Sequence, residues 1–198
     1  MSLETLNIQL FEAINAKQHA SPFSIEFAIF IANDVLYILL LLLLFLWCYG
    51  DLELKERAMK AALFTTISLI IGFIISLFYD HPRPFVMDVG RTLIQHAPNA
   101  SFPSDHMLIF STIALSYLFS QRKMAGFILL GLAFAVAWSR IYLGVHFPFD
   151  MIGAFVVAFL VNLFGQRLWE LYGPQIMHFM LYLYTTLGKP LLKRGIIK

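Results

Sequence analysis

The sequence predicts an all-α integral membrane protein, a bundle of five or six transmembrane helices with an N-terminal amphipathic helix. Of its 198 residues, 60% are hydrophobic and 13% are charged, whereas about 25% of the residues of a soluble domain are charged. The mean hydropathy of +0.76 arises from apolar runs that approach the ~20 residues a spanning helix needs. The length leaves no room for a separate soluble domain, so we expect residues 1–198 to form one membrane-embedded domain.

The N-terminal segment predicts a short helix. Residues 3–14 place leucine, isoleucine and phenylalanine at helical spacing, with Glu4 and Glu12 off that stripe. This pattern fits an amphipathic helix lying at the membrane interface, and it equally fits a terminal helix packed on the protein.

The first span is expected at residues 24–48, after a helix start at Ser21-Pro22 that combines an N-cap serine with a first-turn proline. Its second half is continuous hydrocarbon, but Asn33 and Asp34 interrupt the first half. These two side chains either bond a neighbouring helix or support a functional site from behind.

Four further apolar segments follow, separated by polar loops. Gly144 is a plausible C-cap for the fourth span. Residues 171–187 are apolar but short, so a sixth span and an interfacial helix both remain open. The second to fifth spans are expected at residues 61–79, 104–120, 124–143 and 147–164.

Positive charges indicate the orientation, because cytoplasmic loops of membrane proteins are enriched in lysine and arginine. One side of the membrane receives Lys55, Arg57, Lys60, Arg122, Lys123 and Arg167, and the other receives Lys17, Arg83, Arg91 and Arg140. The first side is therefore expected to be cytoplasmic, and the polar segments at 80–103 and 139–150 are expected at the outer face.

Composition also limits the partners of the chain. The net charge is only +2 and its positive residues are spread over short loops and the tail, which argues against nucleic-acid binding. The single cysteine, Cys48, excludes an intramolecular disulfide. The bilayer is the expected partner, and the sequence leaves the oligomeric state open.

Three separated stretches meet at the expected outer face, and their side chains suit a phosphate group. Arg83 and Arg140 offer planar guanidinium groups that bind phosphate oxygens with two hydrogen bonds. Ser104 stands where the third span begins, and the free N–H groups of a helix N-terminus attract anions. Asp105 is an unusual neighbour for an anion, although its charge favours the helix dipole.

His106 and His146 supply two imidazoles to the same region. One can attack phosphorus while the other protonates the leaving oxygen, and Asp150 could fix the tautomer of His146. Asp150 tends to raise the pKa of His146, while the two arginines tend to lower it. A metal site is the weaker reading, because the histidines lack helical ligand spacing and the arginines would repel a cation. We expect no metal and no cofactor.

These residues carry a resemblance. Arg83-Pro84, Pro103-Ser104-Asp105-His106, and Ser139-Arg140 with His146 and Asp150 look like the three motifs of the type 2 phosphatidic-acid phosphatase superfamily, with the motif core at 83–150. The resemblance implies a metal-independent phosphatase that works through a phosphohistidine. It implies that His146 is the nucleophile, Asp150 its orienting group and His106 the general acid, with Arg83, Ser104 and Arg140 binding phosphate.

Two positions depart from the family pattern. The family usually has a lysine seven positions before the first arginine, where this chain has Ser76, and a glycine where it has Asp105. A missing phosphate contact would have to come from elsewhere, and His81 and Arg91 are the candidates. Asp105 and Asp34 complete the set of candidate supporting residues.

The Asp105 variant, with Arg-Pro-Phe at 83–85 and Tyr-Leu-Gly-Val-His at 142–146, resembles bacterial undecaprenyl-diphosphatases of the bacitracin-resistance type. This resemblance implies hydrolysis of a lipid diphosphate at the outer face of the bacterial plasma membrane, a step that recycles the lipid carrier of cell-wall peptidoglycan. Phosphatidylglycerophosphate or phosphatidic-acid phosphatase and lipid phosphotransferase are alternatives in the same superfamily. A non-catalytic, anion-binding transporter subunit is the alternative of another class.

Overall fold

The computed structural model describes residues 2–195 and residue 197, and all regular secondary structure in this part of the chain is helical. The prediction of an all-α bundle is confirmed. The elements in order are α1 (Leu3–Ile14), α2 (Pro22–Ile29), a π-helical segment (Phe30–Asp34), α3 (Val35–Tyr49), α4 (Leu52–Phe78), a 3₁₀ turn (Pro84–Val86), α5 (Asp105–Phe119), α6 (Lys123–Tyr142), α7 (Pro148–Leu187) and α8 (Lys189–Lys193).

Helix α1 begins at Ser2, whose hydroxyl accepts a hydrogen bond from the Thr5 N–H. Its apolar side is buried at Phe11, which packs edge-on against Phe147 with ring centroids 5.2 Å apart. Leu3 lies on the exposed side. The helix is therefore amphipathic as predicted, and it packs against the end of the bundle where α7 begins.

The first span is continuous from Pro22 to Tyr49, so its predicted position is confirmed. Ser21 caps it, since its hydroxyl accepts a hydrogen bond from the Ser24 N–H. The sequence did not predict the π-helical segment in its middle. Asn33 and Asp34 both lie on that segment and are exposed.

Helix α5 is the centre of the bundle and contacts α4, α6 and α7. Its 15 residues extend about 22 Å, which is less than a lipid-exposed span requires. Apolar side chains on successive turns are nevertheless buried, at Leu108, Phe110, Ile113 and Ala114. Protein rather than lipid therefore surrounds most of α5.

Helix α7 answers the question of a sixth span. It runs without a break through Pro174 for 40 residues, about 60 Å, which is twice the ~30 Å thickness of a bilayer core. The Trp169 Nε1–H donates to Glu56 and the Tyr184 hydroxyl donates to the Cys48 carbonyl, so its second half lies at the α3–α4 end. Residues 171–187 therefore belong to the same helix as the fifth span and do not form a separate sixth one. Five helical segments cross the bundle in the described part of the chain.

Candidate active site

The polar segments predicted to meet do so at one end of the bundle. The loop between α4 and α5 and the short turn between α6 and α7 close over this end, because the Leu93 N–H donates to the Leu143 carbonyl and the Ser101 N–H to the His81 carbonyl. The predicted site residues brought together here are Arg83, Ser104, Asp105, His106, Arg140, His146 and Asp150.

Gly144 shapes the turn that carries His146. It follows α6 with a positive φ of +84°, a conformation that favours glycine at the residue after a helix C-cap. Its N–H donates to the Ile141 carbonyl, which confirms its predicted capping role. A Cβ at this position would lie 2.2 Å from the Arg91 carbonyl oxygen, so glycine also permits the two loops to touch.

We expect Gly144→Ala to destabilise the protein by at least about 1 kcal/mol, because alanine is strained in the left-handed region and its methyl group would push the two loops apart. Gly131→Ala on α6 is the matched control, since a Cβ there meets nothing within 4 Å and alanine favours helix. Thermal unfolding of the purified proteins in detergent measures the difference. Equal unfolding midpoints for the two variants would contradict the assigned role of Gly144.

The carboxylate of Asp150 holds His146 from the first turn of α7. Its Oδ2 accepts hydrogen bonds from the Phe147 N–H at 2.7 Å and from the Ser101 hydroxyl, and it lies 3.2 Å from His146 Nδ1. Both His146 and Asp150 are buried. A carboxylate held by three donors is fixed in position, and it fixes the imidazole in turn.

Arg83 contacts the other nitrogen of the His146 ring. Its Nη1 is 3.0 Å from His146 Nε2 and also donates to the Val145 carbonyl at 2.9 Å. Because arginine only donates hydrogen bonds, Nε2 must be the accepting nitrogen and Nδ1 must carry the proton toward Asp150. This is the tautomer in which Nε2 has the lone pair that a nucleophile needs.

The rest of the Arg83 guanidinium is held by the loop before α5. Its Nε donates to the backbone carbonyl and side-chain oxygen of Asn99, and its Nη2 donates to the Ala100 carbonyl. Arg83 thus ties this loop to the α6–α7 turn. A phosphate oxygen could replace Nε2 as the acceptor for Nη1, since a charged acceptor forms the stronger hydrogen bond.

Arg140 differs from Arg83 because its guanidinium has no hydrogen-bond or ion-pair partner among the residues that the structure describes. The residue is 2% exposed, and its Nε is buried and unsatisfied. A buried charge without a partner costs several kcal/mol, whereas an anionic ligand would remove that cost. Arg140 is therefore the strongest indication of an anion site in the molecule.

Ser104 is the N-cap of α5, as predicted, and its hydroxyl accepts a weak hydrogen bond of 3.5 Å from the Met107 N–H. The hydroxyl proton remains available to an anion. The next residue, Asp105, is exposed and faces a cavity of about 470 Å³ that Ser76 and Asn99 also line. Asp105 and Ser76, the two departures from the family pattern, thus share one cavity between α4 and α5.

His106 lies on a different cavity, of about 530 Å³, which Arg140 and His96 also line. His96 was not among the predicted site residues, yet its ring centroid is 6.1 Å from that of His146. His96 Nδ1 lies 3.0 Å from the Ala97 carbonyl, so this nitrogen carries a proton. The site therefore contains three histidines, two of which were predicted.

Burial controls the protonation of the two histidines in the loops. It lowers the pKa of His146 to about 4, although the hydrogen bond to Asp150 acts in the opposite direction. It also lowers the pKa of His96, and the positive charges of Arg83 and Arg140 add to that effect. Both imidazoles are consequently neutral at pH 7. The prediction from the sequence took into account only the charges near His146, and not its burial.

The candidate supporting residues His81 and Arg91 lie outside this constellation. His81 Nε2 is 3.3 Å from a Glu4 carboxylate oxygen, and its ring stacks on Tyr79. Arg91 Nη1 donates to the Lys17 carbonyl. Both side chains fasten the N-terminal segment to the loop before α5, and neither makes a hydrogen bond to a predicted site residue among those the structure describes.

Asp34 and Ser76 also lack side-chain hydrogen bonds to the predicted site residues that the structure describes. Asp34 is exposed on the π-helical segment and has no hydrogen bond to a described residue, although its neighbour Asn33 lines the His106 cavity. The Ser76 hydroxyl donates to the Phe73 carbonyl of its own helix. Neither side chain makes a hydrogen bond to a predicted site residue that the structure describes.

Ser101 and Asn99 were missed by sequence reasoning, although one orients Asp150 and the other holds Arg83. Both fall within the longest polar segment, directly before the second motif. That placement was the available signal, but serine and asparagine are also common in ordinary loops.

Comparison with known proteins identifies the family. The model of the PAP2 superfamily matches residues 57–171, a range that contains every motif residue described above. The chain belongs to the PAP2 superfamily. It is 38% identical over 174 residues to the putative undecaprenyl-diphosphatase YbjG of Escherichia coli, covering 88% of both chains.

Two further similarities extend this assignment within the PAP2 superfamily. The undecaprenyl-diphosphatase BcrC of Bacillus subtilis is 33% identical over 169 residues, which cover 85% of this chain and 87% of BcrC. The crystal structure of Aquifex aeolicus LpxE superposes with a TM-score of 0.71 at 26% identity, over 84% of this chain and 99% of LpxE. Membership of the PAP2 superfamily and these relatives support lipid phosphatase activity in a multi-pass membrane protein.

Proposed function

We propose that the protein is an undecaprenyl-diphosphate phosphatase, which removes the terminal phosphate of the lipid through a phosphohistidine. The observation that carries this proposal is the buried guanidinium of Arg140, unpartnered among the described residues, in a site where His146 holds an Nε2 lone pair. An anion site beside a buried, oriented nucleophile has the parts that phosphoryl transfer needs.

In the first step, His146 Nε2 attacks the terminal phosphorus and the bond from phosphorus to the bridging oxygen breaks. His106, starting as the imidazolium, gives a proton to that oxygen, and the lipid monophosphate leaves. Arg140, Arg83 and the first turn of α5 stabilise the charge that spreads over the phosphoryl oxygens. Asp150 stabilises the positive charge that develops on the His146 ring, as the aspartate of a catalytic triad does.

In the second step, water attacks the phosphohistidine and the bond from Nε2 to phosphorus breaks. His106 accepts the proton of that water, inorganic phosphate leaves, and both histidines return to their starting states. The mechanism requires no metal, and two arginines around one phosphate would repel a cation. We expect excess chelator to leave turnover unchanged, whereas activity that vanished in chelator and returned with magnesium would favour a metal mechanism.

The names of the relatives YbjG and BcrC support undecaprenyl diphosphate as the substrate. The distribution of lysine and arginine supports an active site at the outer face of the bacterial plasma membrane. The lipid would enter from the bilayer, with its tail along apolar helices and its head at the site. Residues 1–198 would act as one domain, with the motif core at 83–150.

Phosphate release by the purified protein tests the proposed function against its alternatives. The substrates to compare are undecaprenyl diphosphate, phosphatidylglycerophosphate and phosphatidic acid. We expect the highest kcat/KM with undecaprenyl diphosphate. Preference for either glycerophospholipid would support the alternatives in the same superfamily, and no release from any lipid would support a non-catalytic anion-binding role.

The lowered pKa of His146 predicts how activity falls in acid. The terminal phosphate of the substrate loses its last proton with a pKa of about 6, so one protonation reduces kcat/KM below that pH. An ordinary histidine, with a pKa near 6.5, would add a second protonation and give a slope of two between about pH 5 and 6. Because burial lowers the pKa of His146 to about 4, we expect a slope of one in that interval.

The measurement is log kcat/KM against pH from about 4.5 to 7 with the purified enzyme. The sign follows from the chemistry, since only neutral His146 attacks and a lower pKa keeps it neutral in more acidic solution. A slope of two by pH 5 would show that His146 titrates like an exposed imidazole, and would remove burial as the controlling effect.

A further inference from the structure

A cavity beside the proposed catalytic pair is lined in part by polar side chains that the mechanism above does not use. Its volume is about 530 Å³, within the range of small-ligand sites. Asn33, Tyr37 and Gln95 have no hydrogen bond to any residue that the structure describes, although each carries a donor. The polar lining consists of Asn33, Tyr37, Gln95, His96, His106 and Arg140.

The π-helical segment is what brings Asn33 to this cavity. The segment packs on α6, and Ala32 is buried in a cluster with Leu143. A π-turn adds a residue to the helix and shifts the register of the residues beyond it, a feature often found at functional sites. Here Ala32 and Val35 face the protein, whereas Asn33 between them opens to the cavity that holds His106.

The direction of the reaction assigns this cavity to the leaving group. The attacking and leaving atoms lie roughly in line on opposite sides of the transferred phosphorus. Nε2 of His146 is the attacking atom, so the leaving oxygen must lie on the side of the group that protonates it, His106. A lipid diphosphate carries its second phosphate on that oxygen, and the cavity that His106 lines is the space available to it.

We propose that this cavity is a subsite for the second phosphate of a diphosphate substrate, with the amides of Asn33 and Gln95 donating to its oxygens. The inference rests on the proposed function and deepens it, since it names the residues that distinguish a diphosphate from a monophosphate. Arg140 lies on the boundary between the two phosphates, where its five donors can serve both. Leu36 and Ile94 add apolar surface to the same cavity, where the first carbons of the lipid would follow.

Farnesyl diphosphate and farnesyl monophosphate, which differ only in the second phosphate, test the subsite. We expect Asn33→Ala and Gln95→Ala each to lower kcat/KM for the diphosphate about tenfold, as expected for a lost hydrogen bond to a charged group. Values for the monophosphate should stay within about twofold. The inhibition constant of inorganic pyrophosphate should likewise rise about tenfold in these variants, and that of inorganic phosphate should stay unchanged.

Asn33→Asp gives an independent check, because it preserves size while placing a negative charge against the second phosphate. We expect it to lower diphosphate turnover more than Asn33→Ala does. Gln9→Ala is the matched control, since Gln9 is an exposed amide on α1. Wild-type ratios of diphosphate to monophosphate turnover in all three site variants would overturn the subsite alone. A wild-type protein that does not hydrolyse the diphosphate would overturn both the subsite and the proposed function.

Discussion

His146→Ala is expected to lower lipid-diphosphate turnover by at least about 10⁴-fold, as found when the nucleophile of a hydrolase is removed. The substitution deletes the atom that would bond to phosphorus. Asp150 and Arg83 would remain, so substrate binding should weaken far less than turnover. Phosphate release by the purified variant, with KM measured separately, checks this prediction.

The intermediate provides a second readout for the same substitution. Acid-quenched wild-type enzyme should retain phosphate in an acid-labile, alkali-stable bond, and His146→Ala should retain none. His178→Ala is the control, because His178 is exposed on the distal half of α7 and should leave both turnover and labelling unchanged. If His146→Ala kept near-wild-type turnover, another nucleophile would have to be sought.

Arg140→Ala is expected to lower kcat/KM about 10³-fold, in the range reported for arginines that stabilise a transferring phosphoryl group. Arg140 is 2% exposed and its guanidinium makes no hydrogen bond to a described residue, so its loss would remove ligand contacts and break no hydrogen bond within the described fold. The free energy of unfolding of the ligand-free protein should therefore stay the same or rise, since a buried uncompensated charge disappears.

Arg140→Lys separates charge from shape at this position. Lysine preserves the charge but lacks the planar fork, so we expect it to restore only part of the lost activity. Arg167→Ala is the matched control, because that arginine is 84% exposed and lies near the opposite end of the bundle, 3.8 Å from Glu170. A fully active Arg140→Ala enzyme would refute the anion site on which the proposed function depends.

Most of the bundle could be predicted because the bilayer imposes a simple rule. Apolar runs bounded by Pro22, Gly50 and Gly144 gave the first and fourth spans to within about two residues, as hydropathy and capping usually allow. The continuity of α7 was missed because Pro174 suggests a helix end, although the helix persists through it. The π-helical segment has no sequence signature that distinguishes it from ordinary helix.

Residues of the proposed site that belong to the spaced motifs could be predicted from the sequence. Residues that only the folding of the loops brings to the site could not. Arg83, Arg140 and His146 stand out as charged or titratable groups in an apolar chain. Ser101 and His96 do not, because their roles arise from how the loop before α5 folds back over the α6–α7 turn. Burial of His146 was equally invisible, and it reverses the effect that Asp150 alone would have on its pKa.

The contact between Arg83 and His146 masks the proposed nucleophile. The hydrogen bond from Arg83 Nη1 occupies the lone pair of His146 Nε2, so this nitrogen is not free to react with other electrophiles. An anion that competes for the guanidinium uncovers that lone pair in the act of binding. Under the proposed function, binding of the substrate phosphate would itself free the nitrogen that attacks it.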